Sequence, residues 1–430
     1  MIANEETWRF VEQHKNDDVR TLALQAAGRK DIDVRFALDQ IAGHQAAKRK
    51  LPLWSETTGI VFPPHLSMEQ CSSEAAAAYK AGIVERLAGG LSLAESRPVA
   101  LADLTGGLGS DFHQMAQALK KASSTTGGGR LIYAEQNEQL CQLARHNLPL
   151  LGLAEAEIWQ GDCRETLQKL PRCRFIFIDP ARRDGLGRKT YALSDCVPNV
   201  LEMEQEMLKK ADFIVMKVSP MLDVAACISE LDQHSGAVGH SIVGEVHAVA
   251  VEGECKELLL VLSSQPMGER TYVATDLKSD GQADVFSYTT SEDQAFQQAI
   301  SIRREPIETG LYLYEPNAAM MKLGCFGLIS HRWGIEALHR NTHLFVSDRL
   351  IDRFPGRTFS IMGVSNMNKK NLKTLLQGVE RANIAVRNFP LQAAELRKKL
   401  HIKDGGNAFF FGITTAGEEH LILKTQKVKN

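Results

Sequence analysis

The sequence predicts an α/β protein whose central domain is built on a parallel sheet. Short apolar runs alternate with amphipathic stretches between residues 99 and 234, which is typical of strands covered by helices on both faces. A glycine-rich turn follows the first of these runs. Residues 1–60 show helical spacing only, whereas the region beyond residue 264 mixes short strands with helices. We therefore expect a helical N-terminal segment and a C-terminal α+β region.

The N-terminal segment places apolar side chains at helical spacing over residues 7–14, 17–27 and 33–49. A loop rich in Pro and Trp is predicted at 51–64. Ser72 or Ser73 is then expected to cap the helix that begins at Glu74.

The central region contains five predicted strands, at 99–104, 131–134, 158–159, 175–178 and 213–218. Helical patterns lie between or after them at 112–121, 139–150, 201–210 and 224–234. Two further runs, 241–249 and 257–263, flank Gly253 and predict an antiparallel hairpin that completes the sheet.

The C-terminal region begins with a polar stretch at 265–291, interpreted as a linker or domain entry. A helix is predicted at 393–400 and a hairpin at 409–423. The expected domains are a helical cap (1–65), the central α/β domain (66–264), a small α+β linker domain (265–345) and a terminal domain (346–430).

Composition limits the class of protein. The chain is 44% hydrophobic and 24% charged, which is typical of a globular protein. Its net charge of -2 over the whole chain does not indicate binding to nucleic acid. The first twenty residues lack the apolar core of a signal peptide, and no run approaches the ~20 apolar residues of a membrane helix. Eight scattered cysteines without a C-x-x-C pair argue against zinc and disulfides. We expect a cytoplasmic protein without metal; the oligomeric state stays open.

The glycine-rich turn carries the first candidate site. Glycines 106, 107 and 109 let the backbone approach a ligand, and the following helix start presents N–H groups to electron-rich atoms. A plain strand-to-helix turn is the alternative. A dinucleotide-binding turn would need a small residue where Phe112 stands.

Carboxylates stand at the ends of three predicted strands. Asp103 suits a cationic ligand such as the amino group of a methionine moiety. Glu135 could accept both hydroxyl groups of a ribose, or simply cap the next helix. Asp162 could accept an adenine amino group, or lie in a polar turn.

The fourth strand ends in Asp179 and Pro180, at the usual place for a site in an open α/β sheet. Pro180 stiffens the turn and has no N–H, so that nearby carbonyls can face a substrate. Arg182 and Arg183 offer forked donors to phosphate; a helix cap with a surface basic pair is the alternative.

This combination resembles the class I S-adenosylmethionine-dependent methyltransferases. More closely, it resembles bacterial methyltransferases with a THUMP-like C-terminal domain, related to the trimethylguanosine synthases. The similar motifs are Asp103-Leu-Thr-Gly-Gly-Leu-Gly109, Glu135, Gly161-Asp162, Asp179-Pro-Ala-Arg-Arg183 and Lys217-Val-Ser-Pro-Met221. The resemblance covers residues 60–265 well and the rest more weakly. It implies a Rossmann-like methyltransferase domain followed by ferredoxin-like and THUMP-like α+β structure.

The resemblance also implies roles for individual residues. Those expected to hold S-adenosylmethionine are Asp103, Thr105, Gly106, Gly107, Gly109, Asp111, Glu135, Asp162 and Asp179. Those expected at the methyl acceptor are Asp179, Pro180 and Lys217. Amino-group methyltransferases carry a base-stacking aromatic ring at the position of Arg182, so Trp54 or Tyr191 would have to supply that ring.

The predicted reaction is methylation of an exocyclic amino group of a base in structured RNA. Methylation of a ribose 2′-hydroxyl by Asp179 and Lys217 is the alternative within the class, although Lys217 could instead pair structurally with Asp179 or Asp223. A non-catalytic RNA-binding protein that retains the fold is the alternative of another class. Small-molecule and protein acceptors also stay open.

The case for RNA, expected to be ribosomal or transfer RNA, rests on the basic segment 366–430. Its twelve basic residues outnumber five acidic ones, for a net charge of roughly +7, and leave the remainder at roughly -9. A solvated helix face is the alternative. The basic residues are Lys369, Lys370, Lys373, Arg381, Arg387, Arg397, Lys398, Lys399, Lys403, Lys424, Lys427 and Lys429.

Overall fold

The computed structural model describes residues 3–90, 99–122, 129–181, 192–235 and 240–428. The chain forms two compact units. Unit 1 comprises Met1–Glu245 and Leu258–Gly268, and unit 2 comprises Val246–Glu257 and Glu269–Asn430. The four-domain division at residues 65, 264 and 345 stays a prediction. No helix in the described ranges is long and apolar enough to cross a membrane.

The N-terminal segment is helical, as the sequence predicts. Its helices are α1 (Glu5–His14), α2 (Val19–Gln25) and α3 (Val34–Lys50), each capped by a side-chain acceptor. The prediction of a continuous loop at 51–64 is wrong, because Pro52 opens a short helix, α4 (Pro52–Glu56). Proline is well suited to the first position of a helix. Helix α5 (His65–Gln70) follows.

Unit 1 contains the predicted parallel sheet. Its elements are α6 (Glu74–Gly89), β1 (Val99–Asp103), α7 (Ser110–Ala122), β2 (Arg130–Glu135), α8 (Glu138–Leu150), β3 (Glu157–Gln160), α9 (Cys163–Lys169), β4 (Cys173–Ile178), α10 (Val200–Lys210), β5 (Ala211–Val218) and α11 (Val224–His234), with a 3₁₀ turn at Leu193–Asp195. Helix α9 was not predicted from the sequence. This helix has only seven residues, and Asp162 caps its first turn.

The strand order explains where a ligand can bind. The sheet runs β3-β2-β1-β4-β5, with all neighbours parallel. The chain therefore moves from β1 to one edge of this group and then returns to the other side of β1. In such sheets the crevice lies at the carboxyl ends of the strands, where the order reverses. Here that point is between β1 and β4.

The predicted hairpin at the sheet edge is confirmed. β6 (Val243–Val251) and β7 (Glu254–Leu262) are neighbours joined at Glu252 and Gly253. Both connecting residues have positive φ, 53° and 77°, as in the type I′ turns that commonly join hairpin strands. β7 also pairs antiparallel with β5, from Ile214 opposite Leu262 to Val218 opposite Leu258.

Unit 2 has the predicted α+β character. Its further elements are β8 (Thr271–Leu277), β9 (Ala283–Thr289), α12 (Thr290–Phe296), β10 (Tyr312–Pro316), α13 (Ala318–Leu323), α14 (Phe326–Trp333), β11 (Glu336–Ala337), β12 (Phe345–Ser347), β13 (Gly356–Asn366), α15 (Lys369–Leu375), β14 (Arg381–Arg387), α16 (Ala393–Leu400), β15 (Lys403–Thr414) and β16 (His420–Lys427). The polar stretch 265–291 is thus mostly a hairpin, in which Phe286 and Tyr288 alternate inward.

The seven-stranded sheet of unit 2 has the order β11-β12-β10-β13-β16-β15-β14. The hairpin predicted at 409–423 is its β15–β16 pair. Buried aromatic rings, including Phe359 and Phe411, form the core on one face of this sheet. Helices α15 and α16 supply leucines to a second cluster around Phe410.

A buried acid in α10 gives the fold a pH-dependent stability. Glu204 is fully buried, and neither of its carboxylate oxygens has a hydrogen-bond partner among the described residues. Burial, with a further contribution from the charge of Asp232, raises the pKa of Glu204 to about 7. The folded protein therefore retains this proton over a pH range in which the unfolded chain releases it.

We expect the free energy of unfolding to fall between about pH 4.5 and pH 7 by about 3 kcal/mol because of this group. Glu204→Gln should remove that decrease and be more stable than the natural protein at pH 8. Urea unfolding at pH 5 and pH 8 measures both effects. The exposed Glu202→Gln on the same helix is the control and should retain the decrease. Equal pH dependence in both variants would contradict the assignment.

Candidate active site

The turn between β1 and α7 is held by hydrogen bonds to the ends of β1 and β2. The N–H of Thr105 donates to Asp103 Oδ1 at 2.9 Å, and the N–H of Gly106 donates to the carbonyl of Ala134 at 2.8 Å. Gly107 and Gly109 have φ values of 56° and 94°, which side-chain-bearing residues rarely adopt. The glycines are thus required by backbone conformation at these two positions.

Gly106 is required for a different reason. A Cβ atom at this position would lie 2.2 Å from the ring of Tyr133 on β2. The Tyr133 hydroxyl donates to the carbonyl of Gly107, so the ring is anchored beneath the turn. Burial raises the pKa of Tyr133, which keeps this donor protonated. The turn therefore lies directly on the end of β2.

Glu135, the last residue of β2, contacts the same turn. Its Oε2 accepts the N–H of Gly107 at 2.9 Å, and its Oε1 accepts the N–H of Asn137 at 2.8 Å. The carboxylate is thereby fixed in orientation. Because each carboxylate oxygen has more than one lone-pair direction, both can still accept hydroxyl groups of a ligand.

The carboxyl group of Asp103 is buried, which disfavours its ionised form. Its residue is 1% exposed at the end of β1. Burial raises its pKa well above the ordinary value, and the charges of Asp111, Asp179 and Glu135 act in the same direction. A cationic group bound beside Asp103 would stabilise its ionised form. The local electrostatics therefore favour a positively charged ligand.

The end of β4 is tied to the same turn. The N–H of Asp179 donates to Thr105 Oγ1 at 2.8 Å, and Pro180 behind it is buried. Lys217, near the end of β5, brings its Nζ to 2.5 Å from Asp179 Oδ2. The Asp179 side chain is 36% exposed, so this carboxylate is the part of the pair that reaches solvent.

Two residues that contact this region, Ser72 and Lys80, were not predicted as site residues from the sequence. Asp111 Oδ2 accepts the hydroxyl of Ser72 at 2.8 Å, and its Oδ1 lies 3.1 Å from Nζ of the buried Lys80. Ser73, not Ser72, caps α6. The available signal was a single lysine on the apolar face of an alanine-rich helix, a position where lysine is rarely buried unless it is paired.

Two other predicted residues, Asp162 and Trp54, lie near this turn and make structural contacts. Asp162 is exposed and accepts the N–H of Arg164 at 2.8 Å, so its observed role is to cap α9. Trp54 is 1% exposed and packs against Phe62 and Leu108, which conflicts with the prediction that its ring stacks on a base. Three further predicted residues, Arg182, Arg183 and Tyr191, lie outside the described residues.

The described residues contain no group of three or more His, Cys, Asp and Glu side chains that could hold a metal ion. They do bring charged groups of both signs to the strand ends. Among the described residues at these strand ends, acidic groups outnumber basic ones, which suits a ligand with net positive charge. The acidic residues are Asp103, Asp111, Glu135 and Asp179, and the basic ones are Lys80 and Lys217.

One comparison with a known protein agrees with this architecture. A solved structure from Porphyromonas gingivalis W83, named a "putative methyltransferase", shares 30% identity, with 100% of each chain covered and a TM-score of 0.77. A SAM-dependent methyltransferase from Agrobacterium tumefaciens shares 18% identity over 44% of this chain and 61% of its own, with a TM-score of 0.30.

Two domain families match the C-terminal part of the chain. Residues 312–355 match a ferredoxin-like domain, and residues 356–426 match a THUMP domain-like family. No curated protein matches the chain significantly. The predicted combination of a Rossmann-like domain with ferredoxin-like and THUMP-like structure is therefore confirmed at the level of fold.

We expect Gly106→Ala to destabilise the protein by about 1–3 kcal/mol, because the added methyl group overlaps the Tyr133 ring. Thermal and urea unfolding measure the loss. Gly89→Ala, at the end of α6, is the control, since nothing lies within 4 Å of its added Cβ atom. That control should be neutral or slightly stabilising. Equal stability of the two variants would show that the turn does not pack as described.

Proposed function

The chain belongs to the same family as the Porphyromonas gingivalis protein, and we propose that it is an S-adenosylmethionine-dependent methyltransferase. The observation that carries this proposal is the line of groups at the strand ends. The buried Asp103, the Gly107 turn and the Glu135 carboxylate lie side by side, and Asp179 follows on the next strand. This is the crevice side of the sheet.

The residues present fit this cofactor. Asp103 would hold the amino group of the methionine moiety, because a buried carboxyl group without a cation is unfavourable. Glu135 would accept the ribose hydroxyl groups, and the glycine turn leaves room for the ligand. The cofactor supplies an activated methyl group on a sulfonium centre. The chain itself supplies binding and orientation.

The methyl acceptor is proposed to be an exocyclic amino group of a base in structured RNA. An amine nucleophile needs alignment and removal of water more than a strong base. Asp179 offers a carboxylate that can accept an N–H of the acceptor, and its contact with Lys217 favours the ionised form. The same contact favours the ammonium form of the lysine, which is a poor proton acceptor.

A ribose 2′-hydroxyl is the second candidate acceptor. The 2.5 Å contact places the Lys217 ammonium group beside the Asp179 carboxylate. Asp179 could then accept the proton of the ribose hydroxyl. Mass spectrometry of nucleosides from cells lacking the gene separates the two: loss of a base-methylated nucleoside supports the amino group, and loss of a ribose-methylated one supports the hydroxyl. If neither changes, RNA is not the acceptor.

RNA binding is proposed for the basic segment of unit 2. Its lysines on α15 and α16 are exposed and form no ion pair within the described part of the chain. Such side chains remain available to phosphate groups. In contrast, Arg387 and Arg397 are paired with Glu315 and Asp404. The exposed lysines of the whole segment, including one on β15 and one on β16, are Lys369, Lys370, Lys373, Lys398, Lys399, Lys403 and Lys427.

We expect Asp103→Asn to weaken binding of S-adenosylmethionine about tenfold or more, because a charge-assisted hydrogen bond is lost. Calorimetry on the full chain measures the dissociation constant. Asp212→Asn, at the opposite end of the parallel strands, is the control and should leave the constant unchanged. Absence of binding by the natural protein would favour a non-catalytic RNA-binding protein instead.

We expect the double change Lys398→Glu and Lys399→Glu to weaken binding of bulk transfer RNA about tenfold. The slope of the logarithm of the binding constant against the logarithm of salt concentration should become shallower by about two units. The control is Lys30→Glu with Lys121→Glu, two exposed lysines of unit 1 that alter the net charge equally. Binding is measured by filter retention at several salt concentrations. Equal losses in both double variants would remove the assignment to α16.

A further inference from the structure

Four charged side chains alternate in sign from α6 to the end of β4. Lys80 Nζ lies 3.1 Å from Asp111 Oδ1, Asp111 Oδ2 lies 4.0 Å from Lys217 Nζ, and Lys217 Nζ lies 2.5 Å from Asp179 Oδ2. Ser72 joins the inner end, donating to Asp111 and accepting from Lys80 at 3.2 Å. The groups come from four separate elements and the turn before α6.

Burial increases steadily along this series of charges. The exposed fraction of the side chain is 36% for Asp179, 12% for Lys217, 11% for Asp111 and 0% for Lys80. Coulombic interactions strengthen as water is excluded, so the innermost pair is the least screened. A buried ion pair rarely adds stability over apolar residues of the same size. Its position beside the candidate acceptor site is consistent with a role in positioning charge.

We infer that Lys80 and Asp111 form a positioning pair that keeps Lys217 on Asp179 and holds the Asp179 carboxylate ionised. This inference rests on the proposed function, because it assigns Asp179 to the methyl acceptor. Lys80 neutralises Asp111, so that Asp111 attracts Lys217 weakly and leaves its ammonium group in contact with Asp179. Asp111 is thereby reassigned from the cofactor to the support of the acceptor site.

Removal of Lys80 has a defined electrostatic consequence. An unneutralised Asp111 would compete with Asp179 for Lys217 and add negative charge nearby. Both changes make protonation of Asp179 easier. Among the described residues, the other titratable groups that face this region include Asp103 on β1, Glu135 on β2 and Cys71 after α5, and the substitution of Lys80 changes none of these side chains.

The decisive experiment follows the titration of Asp179 itself. Protein labelled with ¹³C at aspartate carboxyl carbons is titrated, and the Asp179 signal is identified by its loss in Asp179→Asn. In Lys80→Met we expect the midpoint to rise by about one pH unit. In the double variant Lys80→Met with Asp111→Asn it should return to the natural value, because the competing charge is gone.

The double variant separates positioning from folding. The side-chain amide oxygen that Asp111→Asn introduces can still accept the Ser72 hydroxyl, so the packing of α6 on α7 is retained. The control Lys210→Met removes a largely buried lysine of the same unit that binds three carbonyls near α9, and should leave the midpoint unchanged. An unchanged midpoint in Lys80→Met, or a double variant shifted as far as the single one, would overturn the inference.

Activity provides the second measurement. Transfer of labelled methyl groups into total RNA should have a kcat about tenfold lower in Lys80→Met. The acidic limb of the profile of kcat against pH should move to higher pH, and the affinity for S-adenosylmethionine should be unchanged. The double variant should recover most of that rate. If the natural protein transfers no methyl group while the titration behaves as expected, the proposed function fails and the positioning pair stands.

Discussion

The candidate site depends on the close approach of one backbone turn to the end of the neighbouring strand. Gly106 lies against the Tyr133 ring, and its N–H is bonded to Ala134. That approach brings Gly107 within hydrogen-bond distance of Glu135, and Thr105 within reach of Asp179. Without it the carboxylates of three strands would end at the same edge of the sheet but would not share one crevice.

Local pattern was sufficient for the sheet and for the strand-end residues. Apolar runs predicted all five parallel strands, and the glycines predicted a tight turn between the first strand and the following helix. Pattern failed where the structure depends on contacts distant in sequence. The partners Ser72 and Asp111 are 39 residues apart, and no local spacing relates them. The burial of Trp54 likewise depends on packing against Leu108, far along the chain.

Short helices were the other source of error. α4 and α9 have five and seven residues, so neither contains enough turns to show a periodic apolar face. Their signals were the N-terminal proline and the aspartate cap, which also occur in ordinary turns. In unit 2 the hairpin of β8 and β9 was obscured because its outer face is polar, and alternation is weaker evidence than a continuous apolar run.

The hairpin of β6 and β7 has a practical consequence for dissecting this protein. Residues Val246–Glu257 belong to unit 2, although the chain on both sides of them belongs to unit 1. The polypeptide therefore passes between the units three times, at residues 245–246, 257–258 and 268–269. A truncation after residue 268 would retain this insertion without the rest of its unit, and a fragment beginning at residue 269 would lack it. Neither half can be produced as a complete unit by a single cut.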